Sequence, residues 1–559
     1  MDVTWEPPGP GTWERDRSHF PPTVSRLMIE ILEDAAPRGI AEGFDLVGAP
    51  LATMDVRFVN GQFYRRLVPI IGGGAGSRRP PPNPVVRAVF AVHPRLRRRV
   101  RTAVAAMDSG VWNAEADRWD SEWKPDLIAT NRRLGSVDVA SLDQPALADH
   151  VAECIEHCRR AAVLHFRLHV SDLGPIGRLL AATDEWGIDP VWVMATLAGA
   201  SPSTSEAMDA LRPIARLLDE RGVEVGSLDD VRAAGADVAG LLDDYLLDFG
   251  GRLTTGYDLT DRTLLELPDV TVASLGDPQL LDEHTTAERA QRRGDETLAA
   301  VRQQVPDRER ARFDELVVEA RRLYGLRDEN GPLTVEWPTG VLRTAMLEAG
   351  RRLAAGGRLV SAEHVVNFGG DELVASLRGQ VGPRAEAVAT RDEVRLRRAG
   401  FESPAHLGPE PVEPDLAALP EAMREMMSIS LSVLRLLEAA DASAPTEGVL
   451  VGTGIGVEAY VGTARVVTDA DEAFDRVEPG DVIVAPFTVP TFNSVLALAG
   501  AVVTEQGGLL CHTAVIAREL GIPGIVGVAG ALDIPDGVRV EVDPVAGTVT
   551  VDPTVARTM

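Results

Sequence analysis

The 559-residue sequence is poor in cysteine, almost free of lysine and without long apolar runs. Three cysteines (Cys154, Cys158 and Cys511) provide no disulfide framework for so long a chain and point to a reducing cytoplasm. No run of about 18 apolar residues occurs, so neither a spanning helix nor a membrane partner is expected. The opening MDVTWEPPGPGTWERD lacks the basic-then-apolar order of a signal peptide, which again predicts a cytoplasmic location. Of the 56 basic side chains only Lys124 is lysine. Nucleotide loops commonly hold phosphate with a lysine point charge, and no GxxxxGK[ST] is present, so the chain is expected not to bind ATP unaided. The balance of 84 acidic against 56 basic residues, a net charge of −28, argues against a nucleic-acid partner.

What is present is ample core material: 45% of the residues are hydrophobic, and the length suits three or four domain-sized units. Residues 1–85 mix short strand-like runs with proline, with two extended segments expected around Asn60-Gly61 and a connector at GGGAGSRRPPPNP (72–84). Residues 86–401 carry long helical periodicity, as in 145–174, 205–222 and 309–331, each closed by glycine or broken by proline. Residues 402–449 read as a linker bearing one amphipathic helix of about six turns, with Met423, Met426 and Met427 as core filling. From 450 to 555 short Val/Ile-rich strands alternate with helical stretches near 491–499 and 512–520. The fold class expected is therefore multidomain α+β: a large, mostly α-helical domain followed by a small α/β domain.

Chemistry concentrates in VVTEQGGLLCHTAVIARELGIPGIVG (502–527). A strand ending near Thr504, a loop at Gly507-Gly508 and a helix from His512 to Leu520 place the imidazole at a helix N-terminus. Glycines and free N–H groups there favour a phosphate. A neutral imidazole is a nucleophile, and Gly507, Gly508, Thr513 and Arg518 are candidates to cradle a phosphoryl group on it. Local geometry alone leaves two other readings open: a structural histidine at a helix start, or Cys511 as a redox thiol.

The matching residues Gly507, Gly508, His512, Ala514, Ala517, Arg518, Glu519, Gly521, Pro523 and Gly527 closely resemble the swivelling phosphohistidine domain of the phosphoenolpyruvate-utilising enzymes. PGDVIVAPFTVP (479–490) and IPDGVRVEVDPVAGTV (534–549) extend the likeness. The loop departs from the family at Thr488-Val489-Pro490, where an acidic residue often follows the threonine. The resemblance implies that His512 carries the phosphoryl group. The helical middle is more weakly similar to the substrate domain of the rifampicin phosphotransferases, at 13–27, 249–259 and 320–359. That likeness implies phosphoryl-orienting roles for Arg252, Arg321, Arg327 and Arg343, with Arg327 the best candidate; interhelical ion pairs are the other reading.

Neither an ATP-grasp region nor a phosphoenolpyruvate-binding barrel is read in the sequence. The layout resembles split systems such as phenylphosphate synthase and 4-cresol phosphate synthase. The implied arrangement is a separate ATP-grasp subunit that binds ATP and Mg²⁺ and charges His512. A small-molecule hydroxyl acceptor, phenolic or drug-like, then receives the group in a ping-pong reaction. The alternatives are a phosphoenolpyruvate/pyruvate-type transfer and a non-catalytic phosphoacceptor module.

Weaker signals stay divided. Cys154, Cys158, His165 and His169 share a helical stripe about 22 Å long, too long for one metal ion, so no metal site is expected. They pack as core, or His165 and His169 line an acceptor pocket. Trp186 and Trp192 are core aromatics or a wall for a ring substrate. The arginine run at 93–101 is a solvated face or a docking surface for an acidic or nucleotide-bearing partner.

Overall fold

The computed structural model describes residues 3–551 apart from 17–19, 21, 72–81, 171, 411–414, 438–447, 469, 490 and 491. Most of the expected connector and part of the linker thus lie outside the described residues. The chain divides into two compact units, each discontinuous in sequence: Met1–Asp172 with Leu247–Thr263 and Asn330–Ser428, and Leu173–Leu246 with Leu264–Glu329 and Ile429–Met559. Among the described residues no helix is long and apolar enough to cross a membrane.

In the first unit, strands Leu51–Val59 and Gln62–Pro69 form the hairpin that Asn60-Gly61 signals, with φ of 51° and 83° at the turn. Trp13–Arg15 pairs with the second of these strands, and His406–Leu407 adds a fourth against Trp13 and Glu14. The helix Arg26–Val47 packs on this sheet and against the helix Gln144–Leu168. A Cβ on its Gly39 would lie 2.2 Å from the Val163 carbonyl, so only glycine permits that crossing.

Three segments far apart in sequence meet around the start of this helix. Ser25 caps it, and the buried Asp258 carboxylate in turn accepts the Ser25 hydroxyl at 2.7 Å and its N–H at 3.0 Å. Next to Asp258, the Leu259 carbonyl accepts from Arg343 at 2.7 Å.

The helix expected to stop at Gly331 does not. Arg310–Gly331 runs through a π-helical turn, Pro332–Glu336, into Trp337–Ala355. The missing Pro332 N–H is absorbed by the wider turn rather than ending the helix. In the linker the described helix is Glu421–Leu437, shorter than six turns, with Met423 buried and Met426 and Met427 half-buried.

The second unit joins helices, among them Leu173–Glu185, Pro202–Glu220 and Thr286–Gln304, to an eight-stranded sheet. Its centre is parallel: Tyr460–Val466, Val482–Ala485, Ala501–Thr504 and Gly524–Val526 lie side by side. Val482–Ala485 and Ala501–Thr504 are buried at every position, which explains their unbroken apolar runs. One face packs with Ile483, Val502 and the helices, the other with Val484, Val503 and Val540. The helix expected near 491–499 is a single turn, Asn493–Leu496; that at His512–Leu520 is as expected, ending at Gly521 with φ 76°.

Candidate active site

Val482–Ala485 and Ala501–Thr504 are neighbouring parallel strands, so the loops leaving their C-terminal ends emerge together, where open α/β sheets place their sites. The first loop carries Thr488 and the second leads through Gly507 and Gly508 to His512. The loops are tied by Glu505 N–H to the Ala485 carbonyl at 3.1 Å and Gln506 N–H to Pro486 at 2.9 Å. Gly507 has φ 120°, and a Cβ there would lie 2.7 Å from the Cys511 sulfur. The Cys511 N–H closes the loop onto the Gly508 carbonyl at 3.0 Å.

His512 Nδ1 lies 2.9 Å from Thr488 Oγ1, which lies 2.9 Å from Thr513 Oγ1. Nε2 is buried and has no hydrogen-bond partner among the described residues. The tautomer with Nδ1–H donating to Thr488 leaves the Nε2 lone pair free to attack. Burial holds the imidazole down at about 4, so it is neutral near pH 7. Desolvation is the cause. Burial also pushes the Cys511 thiol up, which disfavours the thiolate that a redox role needs.

Residues 477–547 match the family model described as PEP-utilising enzyme, mobile domain. The chain carries a mobile domain of the phosphoenolpyruvate-utilising enzymes. It is 28% identical to chondramide synthase of Chondromyces crocatus, over 98% of this chain and 14% of that protein. Similarity to the rifampicin phosphotransferase of Streptomyces sviceus is 27%, over 74% of this chain and 48% of the relative. The phosphoenolpyruvate synthase of Pseudomonas aeruginosa is 39% identical over 23% of this chain and 16% of its own length. The chain thus spans about half or less of the length of these curated relatives.

Within the mobile domain, His512, Thr513, Gly507 and Gly508 come together, and Thr488 joins them. The sequence signal for Thr488 is a hydroxyl just beyond a buried parallel strand, a pattern that does not by itself point to the histidine 24 residues on. Arg518 points elsewhere: its guanidinium donates to the Tyr324 hydroxyl at 2.5 Å and the Leu509 carbonyl at 3.1 Å.

The four arginines of the helical region fall in different units. In the first, Arg252 stacks over Phe249 and Trp337 at 4.4 and 5.2 Å, and Arg343 holds Leu259. In the second, Arg321 donates to the Thr196 carbonyl at 2.8 Å and pairs with Asp295 at 2.9 Å, while Arg327 lies half-buried six residues on.

The cysteine–histidine stripe belongs to the first unit. Cys154 and Cys158 are buried, their thiols pushed up by desolvation, the first to about 12. Beyond them runs a chain of polar contacts, each 3.0 Å: Asp172 to His169 Nδ1, His169 Nε2 to His165 Nε2, and His165 Nδ1 to Thr334. Trp186 and Trp192 pack against the core of the second unit, Trp186 edge-on to Phe313. Among the described residues, no group of three or more His, Cys, Asp or Glu side chains is placed to hold a metal ion.

Proposed function

We propose that the chain is a phosphotransferase in which His512 Nε2 carries a phosphoryl group to the hydroxyl of a small molecule. The observation behind this reading is a neutral imidazole whose Nδ1 is held by Thr488 and whose Nε2 is buried and unpartnered. Relatives named rifampicin phosphotransferase and phosphoenolpyruvate synthase support the same class of chemistry.

In the first half-reaction the Nε2 lone pair attacks phosphorus. The N–P bond forms as the P–O bond to the donor breaks, its electron pair leaving on the donor oxygen. Thr488 accepts the hydrogen bond from Nδ1–H throughout, so positive charge developing on the ring is steadied at the far nitrogen. In the second, the acceptor oxygen attacks phosphorus, the N–P electrons return to Nε2, and the hydroxyl proton passes to a base. His165 and His169 are the candidates for that base in this reading. The arginines Arg252, Arg321, Arg327 and Arg343 are the candidates to orient the group, with Arg327 foremost.

The donor in this reading is ATP with Mg²⁺, held by a separate ATP-grasp protein in the cytoplasm, and the acceptor is a phenol or a drug-like alcohol. The test combines the chain, such a partner and γ-labelled ATP. Acid-labile, base-stable label on wild type, none on His512→Asn, and passage of label to an added phenol would support it. Label retained whatever acceptor is supplied would instead identify a phosphoacceptor module.

A further inference from the structure

Two residues beside the nucleophile, Arg518 and Glu519, are almost wholly buried, and the chemistry above makes no use of either. Both reach from the mobile domain to the helices of the same unit. Arg518 donates to the hydroxyl of the fully buried Tyr324 and with its other arm to the Leu509 carbonyl, so one guanidinium ties the helix Arg310–Gly331 to the loop before His512. The Glu519 carboxylate accepts the Gly199 N–H at 3.0 and 3.1 Å, and its backbone carbonyl accepts from Arg293. A Cβ on Gly521 would meet the Arg293 guanidinium at 2.4 Å, so the glycine that ends the helix also seats that arginine. Gln279 adds a bond to the Ala497 carbonyl at 2.9 Å.

We infer that Arg518 and Glu519 are docking residues: they latch the mobile domain onto the helical layer through Tyr324 and Gly199, and this latch must open before His512 can move away to be charged. The consequence for charging rests on the carrier reading of His512; the latch itself does not. The physical case is the composition of the contact. Leu509, Leu510 and Ile516 share one core with Leu197, Phe313 and Tyr324, and an apolar seam alone, being non-directional, would not select one register. Burying Arg518 and Glu519 within it carries a desolvation cost that is recovered only when every partner is in place. Once parted, both groups regain water, so docking is selective for one register and reversible. Burial accordingly holds the Glu519 carboxyl up at about 7, with Arg518, Arg293 and Asp328 the charged groups facing it.

Gly199 provides the test, because its N–H is bonded across the contact. Hydrogen–deuterium exchange is followed on the full chain, with no phosphoryl donor present. Tyr324→Phe removes the far end of the latch without touching Gly199. Its exchange there should rise about tenfold, as loss of one charge-assisted hydrogen bond implies, while strands Val482–Ala485 and Ala501–Thr504 stay protected. Glu519→Gln, which keeps an acceptor oxygen, should preserve Gly199 protection that Glu519→Ala loses. Unchanged Gly199 exchange in Tyr324→Phe would overturn the inference. So would a rise shared equally by the strand amides, since that is unfolding of one fixed body. A chain that behaves as expected here yet never labels at His512 would keep its latch and lose its carrier role.

Discussion

Thr488 Oγ1 lies 2.9 Å from Nδ1 of His512, on a loop that reaches the imidazole only because two buried parallel strands run side by side. In the proposed carrier role this bond selects the ring nitrogen that attacks, since a proton held on Nδ1 leaves the lone pair on Nε2.

Thr488→Val should therefore slow labelling of His512 by about 10–100-fold, the usual effect of losing a partner that fixes a histidine tautomer. Thr488→Ser should recover most of the rate. Equal labelling by the valine and wild-type proteins, in a single-turnover assay with matched donor, would refute the assignment.

The depressed imidazole makes a pH prediction. With its value lowered to about 4, His512 remains neutral from pH 8 down to about 5 and gains a proton only near 4. A ring titrating at about 6.5 in an NMR pH series would show that water reaches it freely. For stability the sign follows: the unfolded ring binds its proton first, so this group's contribution is lost as pH falls from about 6.5 towards 4.

Glu519 has the opposite sign. Its carboxyl, raised to about 7, binds a proton in the folded protein that an unfolded carboxyl near 4.5 has already released. The folded state is thus favoured at low pH and loses this advantage as pH climbs from about 4.5 through 7. Glu519→Gln should match the wild-type melting temperature near pH 4.5 and exceed it progressively up to pH 8. Parallel melting curves across that range would rule out a buried, protonated carboxyl.

Gly507→Ala should cost about 1–3 kcal/mol in the mobile domain, because φ 120° is strained for alanine and its Cβ would press on Cys511. Cys511→Ala in the same chain removes the collision but not the strained φ, so the pair should be less damaging than the two single effects added. Strict additivity in urea unfolding would mean the contact is not the cause.

Local pattern made much of this legible. The strand–loop–helix around His512, the stop at Gly521 and the Asn60-Gly61 hairpin are set by neighbours within a few residues, and the signature from Gly507 to Gly527 marked the mobile domain. The Gly331 stop failed because glycine before proline signals an end that a π turn can bypass.

Distance along the chain limited the rest. Arg518 looked like a phosphate ligand by its place beside His512, yet its guanidinium is spent on Tyr324, 194 residues away. Asp258 lies 233 residues from the Ser25 it secures, and His406 closes a sheet begun at Trp13. The sequence by itself determined the strand, loop and helix that present His512, because helix ends and strand runs are local. Which side chain meets which was decided only by the tertiary structure, because periodicity fixes the face a residue occupies and not what the folded chain brings against that face.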